Sequence, residues 1–185
     1  MTIVAVTKTF GPEAVRAAMA AGLTHVGENY AQELVAKAAQ LEQQPTWHYL
    51  GAVQRRKVKD LAPLVASYDG VARAVELDEI AKRAPGAKVL IEVDWSGEEG
   101  RGGCDPEAVL GLVAHGRDLG LEVAGLMTVA PVGEGRAEAA FTSTAALADD
   151  LQLPERSMGM SDDLEVAVKA GSTMVRVGRA LFGAR

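Results

Sequence analysis

Short apolar runs alternate with amphipathic stretches from one end of the chain to the other, and this alternation limits the fold more than any other feature. The apolar runs, most of them rich in β-branched residues, are "TIVAVT" (2 to 7), "THVG" (24 to 27), "WHYL" (47 to 50), "VASYD" (65 to 69), "KVLIEVD" (88 to 94), "EVAGLM" (122 to 127), "RSMG" (156 to 159) and "TMVRVG" (173 to 178). Between them lie segments with apolar residues three and four apart, the spacing of one helix face: 12 to 22, 31 to 43, 77 to 84, 105 to 120, 135 to 151 and 161 to 171. Asp105 and Pro106 mark one helix start, Ser161 with Asp162, Asp163 and Glu165 another, and Gly22, Gly120 and Gly171 mark stops. Strict βα order requires a parallel sheet covered by helices. Eight strands in that order predict an α/β fold closed as a (β/α)8 barrel of the TIM type, although such barrels run to about 250 residues and this chain has 185. No linker, low-complexity stretch or charge block divides the chain, so residues 1 to 185 are expected to form one domain with short loops and no second domain.

Charge and cysteine content exclude several functions. With a net charge of −6 the chain is not a general nucleic-acid binder, because affinity for phosphate backbones comes from clustered lysine and arginine. Its one basic cluster, Arg55, Arg56, Lys57 and Lys59, reads as the solvated face of a short helix. No apolar run reaches the roughly 20 residues of a membrane span, and no signal peptide opens the chain, so a cytoplasmic protein is expected. The single cysteine, Cys104, excludes an internal disulfide and any all-cysteine metal site. It reads as a small loop residue. His25, His48 and His115 lack metal-ligand spacing and are expected in ordinary packing or surface positions.

In a barrel of this kind the working groups sit at the C-terminal ends of the strands and in the loops that follow. That rule selects Lys8 after strand one, Gly27 to Tyr30 after strand two, Gly51 after strand three, Asp94 and Trp95 after strand five, Met127 and Thr128 after strand six, Gly159 to Ser161 after strand seven, and Arg176 to Gly178 on strand eight. Phosphate sites in such barrels are commonly built after strands seven and eight. Ser161, expected at a helix start, and Gly178, whose missing side chain admits close approach, look like such a cradle, though a simple N-cap and a turn glycine would account for either alone. Arg176 lies between Val175 and Val177 and points to the opposite face. As a buried cation it needs a partner, either a helix carboxylate or a ligand.

An ammonium at the barrel mouth, partly desolvated and near other cations, has a lowered pKa, the condition for forming a Schiff base with an aldehyde. The alternative for Lys8 is a lysine snorkelling to solvent. A phosphate cradle on the opposite wall favours the first reading, because pyridoxal 5'-phosphate carries both an aldehyde and a phosphate.

The segments "VAVTK", "GENYAQE", "WHYLGAVQRRKVK", "SMGMSDDLEVAV" and "GSTMVRVGRALFG", in order from residue 3 to 184, resemble the pyridoxal-phosphate homeostasis protein family, a single-domain barrel like the N-terminal domain of alanine racemase. The resemblance implies that Lys8 holds the cofactor as an internal aldimine. It also implies that Ser161 and the backbone amides of Gly178 and Arg179 bind the phosphate, that Arg176 faces the pyridine nitrogen, and that Asn29 packs near the ring. Family members usually carry a helix ahead of the first strand, whereas this sequence begins at the strand, so the barrel floor is expected to be less covered. The family's usual histidine after "WHYLG" is Ala52 here, and the loop after "GLMTVAP" is short.

An arginine facing the pyridine nitrogen cannot accept its proton and disfavours a second positive charge there, so the cofactor's power to stabilise a carbanion is weak. Racemisation also needs a second acid/base opposite the lysine. In alanine racemase a tyrosine from an additional domain provides it, whereas Tyr30, Tyr49 and Tyr68 here are expected to pack. The expected function is therefore to bind and carry pyridoxal 5'-phosphate as a monomer in its homeostasis, with amino acids or apo-enzymes as recipients. The alternatives are an amino-acid racemase or lyase of low activity, and a sugar-phosphate enzyme in which Lys8 attacks a ketose carbonyl.

Overall fold

The apolar runs lie side by side as the staves of a closed parallel barrel in a computed structural model that describes residues 1–183. The strands are β1 (Thr2–Val6), β2 (His25–Glu28), β3 (Thr46–Tyr49), β4 (Val65–Val71), β5 (Lys88–Val93), β6 (Glu122–Thr128), β7 (Glu155–Ser157) and β8 (Met174–Val177). Each pairs with the next, and β8 returns to β1 with Val4 beside Arg176, so no strand edge is left exposed. The helices between them are α1 (Pro12–Ala20), α2 (Ala31–Ala38), α3 (Arg55–Leu61), α4 (Ala74–Arg83), α5 (Val109–Asp118), α6 (Arg136–Asp150), α7 (Leu164–Lys169) and α8 (Arg179–Phe182). Among the described residues no helix is long and apolar enough to cross a membrane.

Alternation along each strand sorts side chains between two spaces. On β5, Val89, Ile91 and Val93 join the large apolar cluster between barrel and helices, where Leu34, Leu61, Leu77 and Ile80 meet them. Leu90 and Glu92 take the other face, and Leu90 clusters with Ala124 and Met127. On β8 the same rule puts Val175 and Val177 outward and Arg176 inside.

Several element boundaries differ from the sequence expectation for identifiable reasons. The helix expected from 77 starts at Ala74, because the Glu76 carboxylate accepts the N–H groups of Ala72 at 2.8 Å and Arg73 at 3.0 Å and so satisfies donors one turn earlier. The stretch after Asp105 opens as a 3-10 turn, Pro106–Ala108, before α5. The helix expected from Ser161 begins only at Leu164, since the Asp163 side chain accepts the Met160 N–H at 2.6 Å and folds residues 161 to 163 into a turn. The basic cluster forms α3 as expected, with Arg55, Arg56 and Lys59 exposed while Val58 and Leu61 are buried. The short α8 was not legible in the sequence.

Two histidines expected in ordinary packing form an interior chain. His48 Nδ1 lies 2.9 Å from Asp69 Oδ2, and His48 Nε2 lies 2.9 Å from His25 Nδ1. In the tautomer in which His48 Nδ1–H donates to the Asp69 carboxylate, His48 Nε2 accepts the hydrogen bond of His25 Nδ1–H. Ser67 completes the chain by donating to the other Asp69 oxygen. His115 pairs with Asp78 on the surface at 2.8 Å.

Candidate functional site

A cavity of about 760 Å³ opens at the C-terminal ends of the strands, and Lys8, Asn29, Ser161, Arg176, Gly178 and Arg179 all line it. Residues from β1, β2, β7 and β8, up to 171 positions apart in sequence (Lys8 to Arg179), thus reach one space. Val6, Leu50, Met127 and Val129 supply apolar wall, and Ala52, where the family's histidine was expected, lies on the rim.

Close backbone contacts draw the mouth together. A Cβ on Gly51 would lie 2.0 Å from the Asn29 carbonyl oxygen, so only glycine lets the ends of β2 and β3 approach this far. A Cβ on Gly178 would lie 3.3 Å from the Val6 carbonyl oxygen, a tight approach where the end of β8 meets that of β1. Phe10 and Phe182 stack at a tilt beside this seam, their ring centroids 5.5 Å apart.

Ser161 does not cap its own helix. Its Oγ accepts the Ala180 N–H at 3.2 Å, so the hydroxyl sits at the start of α8. This contact brings the turns after β7 and β8 into one hydrogen-bonded unit, next to the Gly178 and Arg179 backbone. The Arg179 side chain pairs with Asp162.

The protein partners of Arg176 are strand-end oxygens and not a helix carboxylate. Its guanidinium donates to the Ser157 carbonyl at 2.6 Å, to Ser157 Oγ at 2.8 Å and to the Thr128 carbonyl at 2.8 Å. Burial lowers its pKa from the ordinary arginine value, while the charges of Asp69, Glu92 and Asp163 oppose that shift. Two strand ends therefore hold the cation rigidly at the cavity base. Interior carbonyls as partners could not have been read from sequence, because they exist only once β6, β7 and β8 are adjacent.

Glu92 is a cavity residue that the sequence reading missed. Its signal was a carboxylate inside the apolar run "KVLIEVD", on the same strand face as Leu90. Burial pushes its carboxyl up to about 7 from an ordinary 4.5, against the pull of Arg176. The folded state thus holds this proton more tightly than the unfolded chain. Its contribution to stability is full below about pH 4.5 and is lost as pH rises through about 7. Glu92→Gln is therefore expected to stabilise the protein by ~2 kcal/mol at pH 8, after allowance for cavity solvent, and hardly at all at pH 4. Thermal unfolding at the two pH values checks this, and an equal gain at both would refute it.

Cys104 is buried behind β5, where its N–H donates to the Glu92 carbonyl at 2.8 Å. Burial pushes its thiol up to about 11 from 9.0, which leaves about a hundredfold less thiolate than an ordinary cysteine. A thiol reagent at pH 8 should label it at a useful rate only after denaturation, and rapid labelling of the native protein would contradict this placement. Tyr49 and Tyr68 pack edge-to-face inside, as expected, whereas Tyr30 is 53% exposed and does not pack.

The family described as alanine racemase, N-terminal domain, matches residues 1–185. The chain is 42% identical to the pyridoxal phosphate homeostasis protein of Pseudomonas aeruginosa, over 99% of this chain and 84% of that one. It is 39% identical to the protein of the same name from Aquifex aeolicus, over 97% of this chain and 85% of the relative. Among solved structures it resembles PipY of Synechococcus elongatus with PLP bound, at 32% identity and a TM-score of 0.91, covering 99% of this chain and 92% of that one.

Proposed function

Because the chain belongs to the family of the alanine racemase N-terminal domain, and within it to the pyridoxal phosphate homeostasis proteins, we propose that it binds pyridoxal 5'-phosphate at the barrel mouth and acts in the homeostasis of that cofactor. The observation that carries this reading is the convergence of an amine, a hydroxyl, main-chain donors and a buried guanidinium on one cavity. That donor set fits a ligand with an aldehyde at one end and a phosphate at the other. A cavity lined by carboxylates alone would not.

In this reading Lys8 is the amine for the aldehyde. Ser161 Oγ and the backbone of Gly178 and Arg179 hold the phosphate, Arg176 faces the ring nitrogen, and Asn29 lies against the ring. When bound, the cofactor supplies an aldehyde that condenses with an amine to release water, a linkage that hydrolysis or exchange with another amine reverses. Leu50, Met127 and Val129 would give the bound cofactor an apolar wall, and the open mouth would admit an amine, from an amino acid or a lysine of an apo-enzyme. Arg176, already committed to three acceptors, stays a cation in place. It disfavours protonation of the ring nitrogen and so weakens the electron withdrawal that racemases and lyases need.

Spectrophotometric titration of the purified protein with the cofactor tests binding, with saturation at one equivalent expected. A protein that stays colourless and passes the cofactor unchanged through gel filtration would end this reading. Glu92 is a cavity group able to exchange protons near neutrality, so α-proton exchange of amino acids separates carrier from enzyme. The carrier reading expects the same slow exchange from wild type and Glu92→Gln, at the level of free cofactor.

A further inference from the structure

The chain reverses immediately after β1, in a four-residue turn closed by the Phe10 N–H donating to the Thr7 carbonyl at 3.1 Å. Lys8 and Thr9 are its two central residues. Thr9 has φ = 69°, the left-handed region that the third position of a type II turn requires and that glycine or asparagine normally fills. A β-branched residue there is disfavoured and persists only where neighbours fix it.

α2 and the end of β2 supply these neighbours. From α2, the Glu33 carboxylate accepts the Thr9 N–H at 2.8 Å. Lys37, one turn further along the same helix, donates to the Thr7 carbonyl at 2.8 Å and reaches the same Glu33 oxygen at 3.3 Å. The buried Glu28 accepts the Thr7 hydroxyl at 2.6 Å and the Lys37 ammonium at 2.5 Å. The main chain is thus gripped on both sides of Lys8 by one ion-pair network, and none of its members lines the cavity.

We propose that Glu33 is a positioning residue for Lys8, holding Thr9 in the left-handed conformation so that the turn delivers the lysine to the barrel mouth. This inference rests on the reading that Lys8 takes the cofactor. Without Glu33 the Thr9 N–H turns to water and the turn can relax toward negative φ, which re-aims the residue before it. A glycine at position 9 accepts φ = 69° without help, so it should make Glu33 dispensable.

Cofactor affinity and the induced circular dichroism of the bound cofactor test this on the full chain, with the melting temperature of the cofactor-free protein as the control for folding. Glu33→Ala should weaken binding about tenfold, the scale of one hydrogen bond to a charged acceptor, and diminish the dichroic band while shifting the melting temperature little. Glu33→Gln keeps an oxygen acceptor for the Thr9 N–H and should restore most of the affinity. Glu33→Ala combined with Thr9→Gly should return it to within about twofold of wild type. Equal affinity in wild type and Glu33→Ala overturns the inference, as does failure of Thr9→Gly to rescue. A wild type that takes no cofactor overturns the functional reading itself. In that case hydrogen exchange at the Thr9 amide, slow in wild type and fast in Glu33→Ala, still reports whether the turn is held as described.

Discussion

Borohydride treatment of the protein after incubation with pyridoxal 5'-phosphate is expected to fix one cofactor per chain on Lys8 in the wild type and none in Lys8→Ala. The effect is all-or-none because reduction traps only a covalent carbon–nitrogen linkage, and a side chain without an amine cannot form one. Lys8→Arg should fail equally, since a guanidinium keeps its charge and is no nucleophile at neutral pH. Both variants retain Ser161, Arg176, Gly178 and Arg179, so both should still bind the cofactor reversibly through its phosphate, with weaker affinity. Peptide mass mapping of the reduced wild type reads the position of the label. A label on Lys37 or Lys57, or undiminished labelling of Lys8→Ala, would remove Lys8 from the site.

The second large effect is expected at Lys37, which the sequence analysis passed over as part of an amphipathic helix. Its ammonium is buried and is the hub of the network beneath the Lys8 turn, with Glu28, Glu33 and the Thr7 carbonyl as acceptors. Burial raises the Glu28 carboxyl pKa, and the Lys37 and Thr7 bonds only partly offset this, so Glu28 depends on its cation for the charged state. Lys37→Met leaves that carboxylate buried and unpaired. The expected loss is about 3–5 kcal/mol, or a melting temperature lower by about 6–20 °C for a domain of this size. Adding Glu28→Gln should recover part of the loss, because the uncompensated charge is then gone. Acidification should also narrow the gap between Lys37→Met and wild type, since a protonated Glu28 needs no counter-charge. A melting temperature within about 2 °C of wild type would show that the pair carries little of the stability.

The Glu33 and Lys37 variants separate two roles of one network. Lys37 holds the helix to the barrel, and its loss should appear in global stability. Glu33, one-third exposed at its side chain, contributes little to the core, so its loss should appear in how the cofactor is held.

The sequence by itself determined the architecture and the cavity's main residues. Strand and helix periodicities differ, and eight alternations with short connections leave a parallel barrel as the economical way to bury every strand on both faces. Because strand ends in a barrel all face one mouth, Lys8, Asn29, Ser161, Arg176 and Gly178 follow from strand order alone, whereas Arg179 is implied only by the family resemblance; all six line the cavity. What depended on neighbours was not legible. The partners of Arg176 are carbonyls of strands 19 and 48 residues away, Ser161 bonds a helix 19 residues on, and the raised pKa of Glu92 follows from burial. The left-handed turn at Thr9 belongs here too, since local preference opposes it and only α2, packed against β1 and β2, supplies the acceptor that holds it. Periodicity records which face of an element is buried. Which polar atoms meet there is decided by contacts between strands and helices that only the closed barrel brings together.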